Sequence, residues 1–265
     1  MSDFYTLTGI KKSFEGKGEL IHVLDGIDLS IREKEFVCIM GNSGCGKSTL
    51  IKIMEGIIPR DGGEIIFDGI SPGKQVSKEL QKKMGIVFQG DNLLEWLTVY
   101  KNVELPLKVF GQKDKAENKA KVMEALELVG LQNYWDCIPR ELSGGMRQRT
   151  SIARALVSDP DILMLDQPFG ALDAITRKTL NQELLRIWHT TQKTCVMITN
   201  NENEALYLGG RVLVMSNSPS RIVHEIEVPL TYEERVNNLA LNPIYLKLRT
   251  ELARIVRSLD TPRQN

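Results

Sequence analysis

Two hydrophobic rhythms run along this chain. "IDLSI" (Ile27 to Ile31) and "EIIFDG" after Gly62 and Gly63 place apolar and polar residues in turn, which predicts half-buried antiparallel strands near the N-terminus. "FVCIM" (Phe36 to Met40) is apolar throughout, as expected of a strand covered on both faces, and it leads directly into a glycine-rich loop and a helical "STLIKIMEGI". Similar runs recur at "GIVF" (85–88), "ILML" (162–165), "TCVMIT" (194–199) and "VLVM" (212–215), with helix-length segments between most of them. This is the α/β pattern of a mostly parallel sheet.

Between Gln89 and Arg154 the strand signals stop. Val122, Ala125, Leu126 and Val129 mark one helix face, and "GGMRQRTSIARALV" reads as another helix. The expected organisation is a single domain over 1–265: a core with an antiparallel part from about 1–88 and 157–230, and an inserted helical lobe at about 89–156. From Tyr232 the charged, helical text predicts an appended helix over about 232–260, closing in a loose "DTPRQN". No internal repeat or low-complexity segment interrupts this plan.

Composition narrows the possible partners. A 265-residue chain with 42% hydrophobic residues can bury a full core. Thirty-four basic residues balance thirty-four acidic ones, so overall charge makes no case for nucleic acid or an anionic membrane, and any anion site must be local. Cys38, Cys45, Cys137 and Cys195 have no C-x-x-C spacing, which suits a reducing cytosol and argues against zinc. No apolar run approaches the roughly 18 residues of a membrane-spanning helix, and "MSDFYTLTGIKK" lacks the apolar core of a signal peptide. Any service to a membrane is expected to be peripheral.

The strongest chemical signal is "GNSGCGKST": Gly41, Asn42, Ser43, Gly44, Cys45, Gly46, Lys47, Ser48 and Thr49. It fits G-x-x-x-x-G-K-[ST] with a strand before it and a helix after it, the context that makes this motif a phosphate loop. Glycines let the backbone wrap close to phosphate oxygens and aim successive N–H groups inward, while the helix N-terminus adds the positive end of its dipole. Lys47 supplies a point charge for the β and γ phosphates, and the Ser48 hydroxyl is placed to ligate Mg²⁺. Cys45 reads as a small loop filler. Asp166 closes "ILML" at the C-terminal strand end, where a parallel sheet binds its ligand, and becomes the second holder of Mg²⁺.

A third motif, "LSGGMRQR" (Leu142 to Arg149), resembles the signature of the ATP-binding-cassette (ABC) ATPases and stands just upstream of Asp166 as it does there. The resemblance covers Phe4 to about Ser258 and implies a P-loop NTPase fold with a mostly parallel core sheet, an antiparallel β subdomain and an inserted helical subdomain. It assigns Gln89 to the Q-loop, with catalytic and metal-holding roles, and Asp173 in "GALD" to the D-loop. Phe14 becomes the aromatic that stacks on adenine. Ser143, Gly144, Gly145 and Gln148 become ATP-binding residues at a polar helix tip that faces the γ-phosphate held by a partner subunit.

"DNLLEWLTVYKNVELPL", "RVLVMSNSPSRIVHEIEVPL" and "NPIYLKLRTELARIV" narrow the resemblance to the ATPases of importers for nitrate, sulfonates and taurine. It implies ATP and Mg²⁺ as ligands, a second ATPase subunit in a homo- or heterodimer, two transmembrane permease subunits and an external solute-binding protein. The location implied is the cytoplasmic face of the membrane. Leu93, Leu94, Trp96 and Leu97 would then form the groove for the permease's coupling helix, or else pack within the lobe.

Two positions depart from the family pattern. After the strand-ending Asp the family places Glu, the general base; this chain has Gln167, which can orient water but accepts no proton. After the Thr of "MITNNENEA" the family usually has His; this chain has Asn200, which donates a hydrogen bond but exchanges no proton. Gln167 is either an introduced substitution that arrests an ordinary importer ATPase, or part of a naturally degenerate cassette paired with a competent one. A lipid or lipoprotein exporter shares the same nucleotide chemistry. Ribosome- or DNA-acting cassettes usually carry two cassettes or a long coiled-coil insertion, and neither occurs here.

Overall fold

The two rhythms become two kinds of strand in a computed structural model that describes residues 3–16, 18–73 and 76–260. Thr261 to Asn265, most of the expected loose tail, lie outside the described residues. Strands β1 (Asp3–Glu15) and β2 (Leu20–Arg32) precede β3 (Phe36–Met40), α1 (Lys47–Met54) and β4 (Gly62–Phe67). Helix α2 (Lys78–Lys82) leads to β5 (Met84–Val87), α3 (Val99–Val109), α4 (Lys115–Leu128) and α5 (Gly144–Leu156), then β6 (Ile162–Asp166) and α6 (Ala174–Thr191). Next come β7 (Thr194–Ile198), α7 (Glu202–Leu208), β8 (Arg211–Met215), β9 (Ile222–Glu227), α8 (Tyr232–Val236) and α9 (Pro243–Asp260). Two compact units result: Met1–Leu80 with Thr194–Asn265, and Gln81–Lys193.

In the first unit β2, β1 and β4 form an antiparallel sheet in that order. One face buries Tyr5, Leu7, Ile10, Ile27, Leu29 and Ile31, which is why polar residues interleave with apolar ones there. Strands β7, β3, β8 and β9 lie side by side, with β3 parallel to β7 and β8, and β9 antiparallel to β8. Every residue of β3 is buried, because the strand has a neighbour on each side and α7 packed against it; unbroken apolar sequence satisfies that environment.

The C-terminal text forms two helices rather than one. Val236 ends α8, Asn238 turns left-handed at φ 57°, and a short 3₁₀ turn spans Leu239–Leu241. Pro243 then disfavours helix at Asn242 but suits the first position of α9, whose start is capped by the Asn242 side chain accepting from the Ile244 and Tyr245 N–H groups. Arg235 ties the entry to α8 to the end of α7. Its guanidinium is buried and donates to the carbonyls of Leu230, Leu206, Tyr207, Gly209 and Val228 at 2.7–3.2 Å. Burial pulls its pKa down to about 10, so it stays charged at neutral pH.

In the second unit β5 and β6 pair in parallel, from Met84 opposite Ile162 to Val87 opposite Leu165. Gly85 has no Cβ because one would collide with the Ala155 carbonyl of α5. Helix α5 packs against α3, α4, α6 and β5, which explains the apolar face of an otherwise polar stretch. Asn102 of α3 is fully buried and donates to the carbonyls of Leu94, Leu97 and Thr98 while accepting from the Leu94 N–H, which pins the loop before α3. Asp173 caps α6, its Oδ1 accepting from the Ile175 and Thr176 N–H groups at 3.0 Å.

These caps and clamps yield two predictions. Arg235→Met strands five carbonyls and is expected to lower unfolding stability by about 3–5 kcal/mol, read from urea denaturation. For Asp173, hydrogen bonds from Thr176 and then Ile175 hold the carboxyl below its ordinary pKa. The folded state therefore favours the ionised form, and that stability is present above about pH 4 and lost as pH falls through the folded pKa. Asp173→Asn keeps an acceptor without a titrating proton, so its melting temperature should fall less steeply below about pH 4 than that of the unchanged chain.

Candidate nucleotide-binding site

The loop Gly41–Thr49 joins the end of β3 to the start of α1 in the first unit. Gly44 and Gly46 take left-handed conformations at φ 80° and 104°, turning the backbone tightly enough to bring its N–H groups to one side. A Cβ on Gly46 would lie 2.8 Å from Val23 Cγ1, and one on Gly41 would lie 2.9 Å from Cys45 Sγ and the Met215 carbonyl oxygen. Cys45 is buried under the loop as filler. Lys47 is only 4% exposed, and its ammonium donates to the carbonyls of Gly41 at 2.7 Å and Asn42 at 2.8 Å. A positive charge held this deep under a glycine turn at a helix N-terminus fits anionic phosphate oxygens, and the exposed Ser43 and Gly44 leave the mouth open.

The back of the loop is braced by residues 216–220, a support not anticipated from the sequence. Ser220 Oγ donates to the Cys45 carbonyl and, at 3.1 Å, to that of Ser216. Ser218 Oγ reaches the Gly44 carbonyl at 3.4 Å. Asn42 Nδ2 donates to Asn217 Oδ1 at 3.1 Å, and Asn217 Nδ2 donates in turn to the Leu259 carbonyl of α9 at 2.7 Å. The sequence hint was the serine- and asparagine-rich "SNSPS", a composition that favours side-chain to backbone bonds.

Phe14, next to the last residue of β1, lies opposite Ile21 on β2 and is 41% exposed, with the Lys12 ammonium 5.3 Å from its ring centroid. Exposed Leu20 and Ile21 extend this apolar tip, which offers a flat ring and aliphatic edges to a planar ligand. Asn200 follows β7 and is exposed. Its neighbours are fixed: Thr199 donates to Glu204 at 2.5 Å, and Asn201 caps α7 by accepting from the Asn203 and Glu204 N–H groups.

In the second unit Asp166 ends β6 and is buried. Gln167 follows with φ 46°, a left-handed conformation that non-glycine residues adopt at a cost of about 1–2 kcal/mol and that turns the chain sharply off the strand. The Gly170 N–H closes this turn on the Gln167 carbonyl at 3.1 Å. Gln89 is exposed beyond β5, with its carbonyl accepting from Asn92 Nδ2 at 2.8 Å.

Ser143 is exposed and caps α5, accepting from the Met146 N–H at 3.3 Å. The absent side chains of Gly144 and Gly145 admit Leu172 and Thr176; Cβ atoms there would lie 3.3 and 3.0 Å from them. The signature tip and the "GALD" turn thus pack together. Gln148 does not join them: it is 3% exposed, and its Nε2 makes no hydrogen bond among the described residues.

Sequence reasoning passed over Arg147 and Arg154. Arg147 Nε donates to Asp91 Oδ2 at 2.8 Å and its Nη1 to the Leu142 carbonyl at 3.0 Å, while Arg154 donates to the carbonyls of Asn92 and Asp91 at 2.8 and 3.0 Å. Together they clamp the segment after Gln89 onto α5. Burial holds the Arg154 pKa below the usual arginine range, and Asp91 opposes that shift. The i, i+7 spacing of the two arginines was visible as a polar stripe, but its target was not.

In the first unit Ser48 offers a hydroxyl oxygen, and in the second Gln89 and Asp166 offer amide and carboxylate oxygens, each a hard donor of the kind magnesium takes alongside phosphate and water. Among the described residues no group of three or more His, Cys, Asp or Glu side chains could hold a metal by itself.

Comparison with known proteins gives concordant results. Residues 24–170 match the family model described as ABC transporter. The chain is 41% identical over 247 residues to a taurine import ATP-binding protein of Rhizobium johnstonii, covering 92% of each chain. It is 40% identical over 249 residues to an aliphatic sulfonates import ATP-binding protein of Bacillus cereus, covering 94% of this chain and 96% of that one. A solved dimeric ATP-binding cassette, in a post-hydrolysis state with ADP and Pi, superposes with a TM-score of 0.75 at 34% identity, over 86% of this chain and all of that one. With its glycine-lined phosphate loop, its helix-tip signature and these similarities spanning most of its length, the chain belongs to the ABC transporter family and has the fold of that family's ATP-binding cassettes.

Proposed function

We propose that this chain is the ATP-binding subunit of an importer for a small solute of the taurine and sulfonate class. The observation that carries the reading is the buried Lys47 under its glycine turn, in a chain that import ATPases match over more than nine-tenths of its length. It works as a pair of cassettes, identical or not, beneath two permease subunits on the cytoplasmic face, with an external solute-binding protein delivering cargo. The balanced charge gives nucleic acid no purchase.

In this mechanism Lys47 leaves the Gly41 and Asn42 carbonyls for the β and γ phosphates, and the loop N–H groups receive the oxygens the ammonium does not reach. Phe14 supports adenine. Ser48, Gln89 and Asp166 would hold Mg²⁺, which would supply positive charge to offset that of the phosphate oxygens. Ser143, Gly144 and Gly145 of a second copy meet the γ-phosphate from the opposite side; the exposure of Ser143 supports this, as does its place at a helix tip. ATP bridges the pair and ADP does not, so nucleotide state sets dimer state by linkage.

Gln167 takes the place of the residue that accepts the water's proton. Its amide orients water but leaves the proton without a base, so the ATP-bound pair persists. The intact phosphate loop favours an arrested importer ATPase. Asn200 favours the second reading, a native cassette that binds ATP and leaves hydrolysis to a competent partner.

Within the segment after Gln89, Trp96 is 77% exposed and Leu94 and Leu97 half-buried, a surface that suits a permease helix, whereas Leu93 is buried in core packing. Helix-in-groove docking explains an exposed tryptophan beside such leucines.

Three outcomes test the reading. Gln167→Glu should raise steady-state phosphate release by about 10²–10⁴-fold, and silence after the change would favour the degenerate cassette. Sizing chromatography should give dimer with Mg-ATP and monomer with ADP; monomer in both would sink the bridging mechanism. Trp96→Ala should reduce co-purification with the permease while leaving ATP affinity unchanged.

A further inference from the structure

An open groove of about 590 Å³ lies between α7 and α9 in the first unit, away from the phosphate loop in sequence. Glu202 and Asn203 line it from α7; Arg249, Thr250, Arg254 and Arg257 line it from α9. Spacings of three and four residues put Thr250, Arg254 and Arg257 on one strip of the helix, with Arg249 beside them. Helix α9 carries Lys247, Arg249, Arg254 and Arg257 against Glu251 and Asp260, a local cationic excess in a chain of zero formal charge.

Among the described residues no carboxylate pairs with Arg254 or Arg257. Arg249 instead lies over the Tyr245 ring, 5.9 Å from its centroid. The spacing of the two walls is set by contacts behind the groove. Leu252 is fully buried, and the Tyr245 hydroxyl donates to Asn203 Oδ1 at 2.9 Å, which leaves the Asn203 amide nitrogen as a further donor. Three guanidinium groups and one amide line the groove, and their donors suit a compact oxyanion, since planar guanidinium forks match pairs of phosphate or sulfate oxygens. Glu202, the single carboxylate in the lining among the described residues, stands on the opposite wall and leaves the arginine strip in excess.

We propose that this groove is a second oxyanion site, distinct from the nucleotide phosphate loop, which takes a phosphate- or sulfate-type group through Arg254, Arg257 and Arg249. The same chemistry is offered by a free oxyanion and by the headgroup of an anionic lipid, and the test separates them.

Equilibrium dialysis with radiolabelled inorganic phosphate is run on the unchanged chain, on the Arg254→Gln/Arg257→Gln double variant and on Lys47→Ala, which removes the competing phosphate-loop lysine. Lys47→Ala is expected to keep a saturable phosphate site, and the double variant to bind at that site at least about tenfold more weakly. Should Lys47→Ala lack a cooperative melting transition, the unchanged chain and the double variant are compared with the phosphate loop filled by excess ADP. Flotation with phosphatidylglycerol and phosphatidylcholine vesicles identifies the source. Capture by the anionic vesicles alone, lost in the double variant, supports the site with a lipid headgroup as ligand; saturable phosphate binding without capture supports it with a soluble oxyanion. If the double variant matches the unchanged chain in both phosphate binding and vesicle capture, or if Lys47→Ala binds neither, the proposal is overturned. ATP binding, measured separately, decides the nucleotide reading.

Discussion

A lysine ammonium buried beneath a glycine turn is the constraint on which the first unit is organised. A charge so placed is tolerable only while oxygen atoms surround it, and the carbonyls of Gly41 and Asn42 provide them. The turn exists because Gly44 and Gly46 accept left-handed backbone and because Gly41 and Gly46 leave no Cβ to meet Met215, Val23 or Leu24. Strand β3 delivers the loop from a fully buried position, and the serines and asparagine of 216–220 grip it from behind. Nothing in this arrangement depends on the protein's net charge; the anion chemistry is local.

The second unit solves a different problem, holding polar loops in fixed shapes so that exposed groups point outward. Arg147 and Arg154 fasten the segment after Gln89 to α5, and Asn102 fastens the loop before α3. Gln167 spends backbone strain to leave the strand, and the "GALD" turn fits against Gly144 and Gly145 because they have no side chains.

The C-terminal helices belong to the same logic of support. Arg235 gathers five carbonyls at the corner where α8 begins, and α9 is tied to α7 through Tyr245 and Asn203 and to the phosphate-loop brace through Leu259 and Asn217. The helix that carries the arginine groove is therefore hydrogen-bonded into the frame of the nucleotide loop.

The sequence by itself determined whatever depends on local periodicity and local chemistry. The apolar runs at 36–40, 85–88, 162–165, 194–199 and 212–215 coincide with β3, β5, β6, β7 and β8, because strands covered on both faces have no use for alternating polarity. The phosphate loop was legible because its glycines and lysine must stand at fixed spacings within nine residues. Only the tertiary structure decided what distant residues do for one another. It turned Gln148 into its unit, buried Leu93, broke the expected terminal helix at Asn238 and Pro243, and gave Arg147, Arg154, Asn217 and Arg235 their partners. Those outcomes rest on bonds between residues up to 175 positions apart, and a hydrogen-bonding side chain looks the same in a sequence whether it faces water or a carbonyl across the fold.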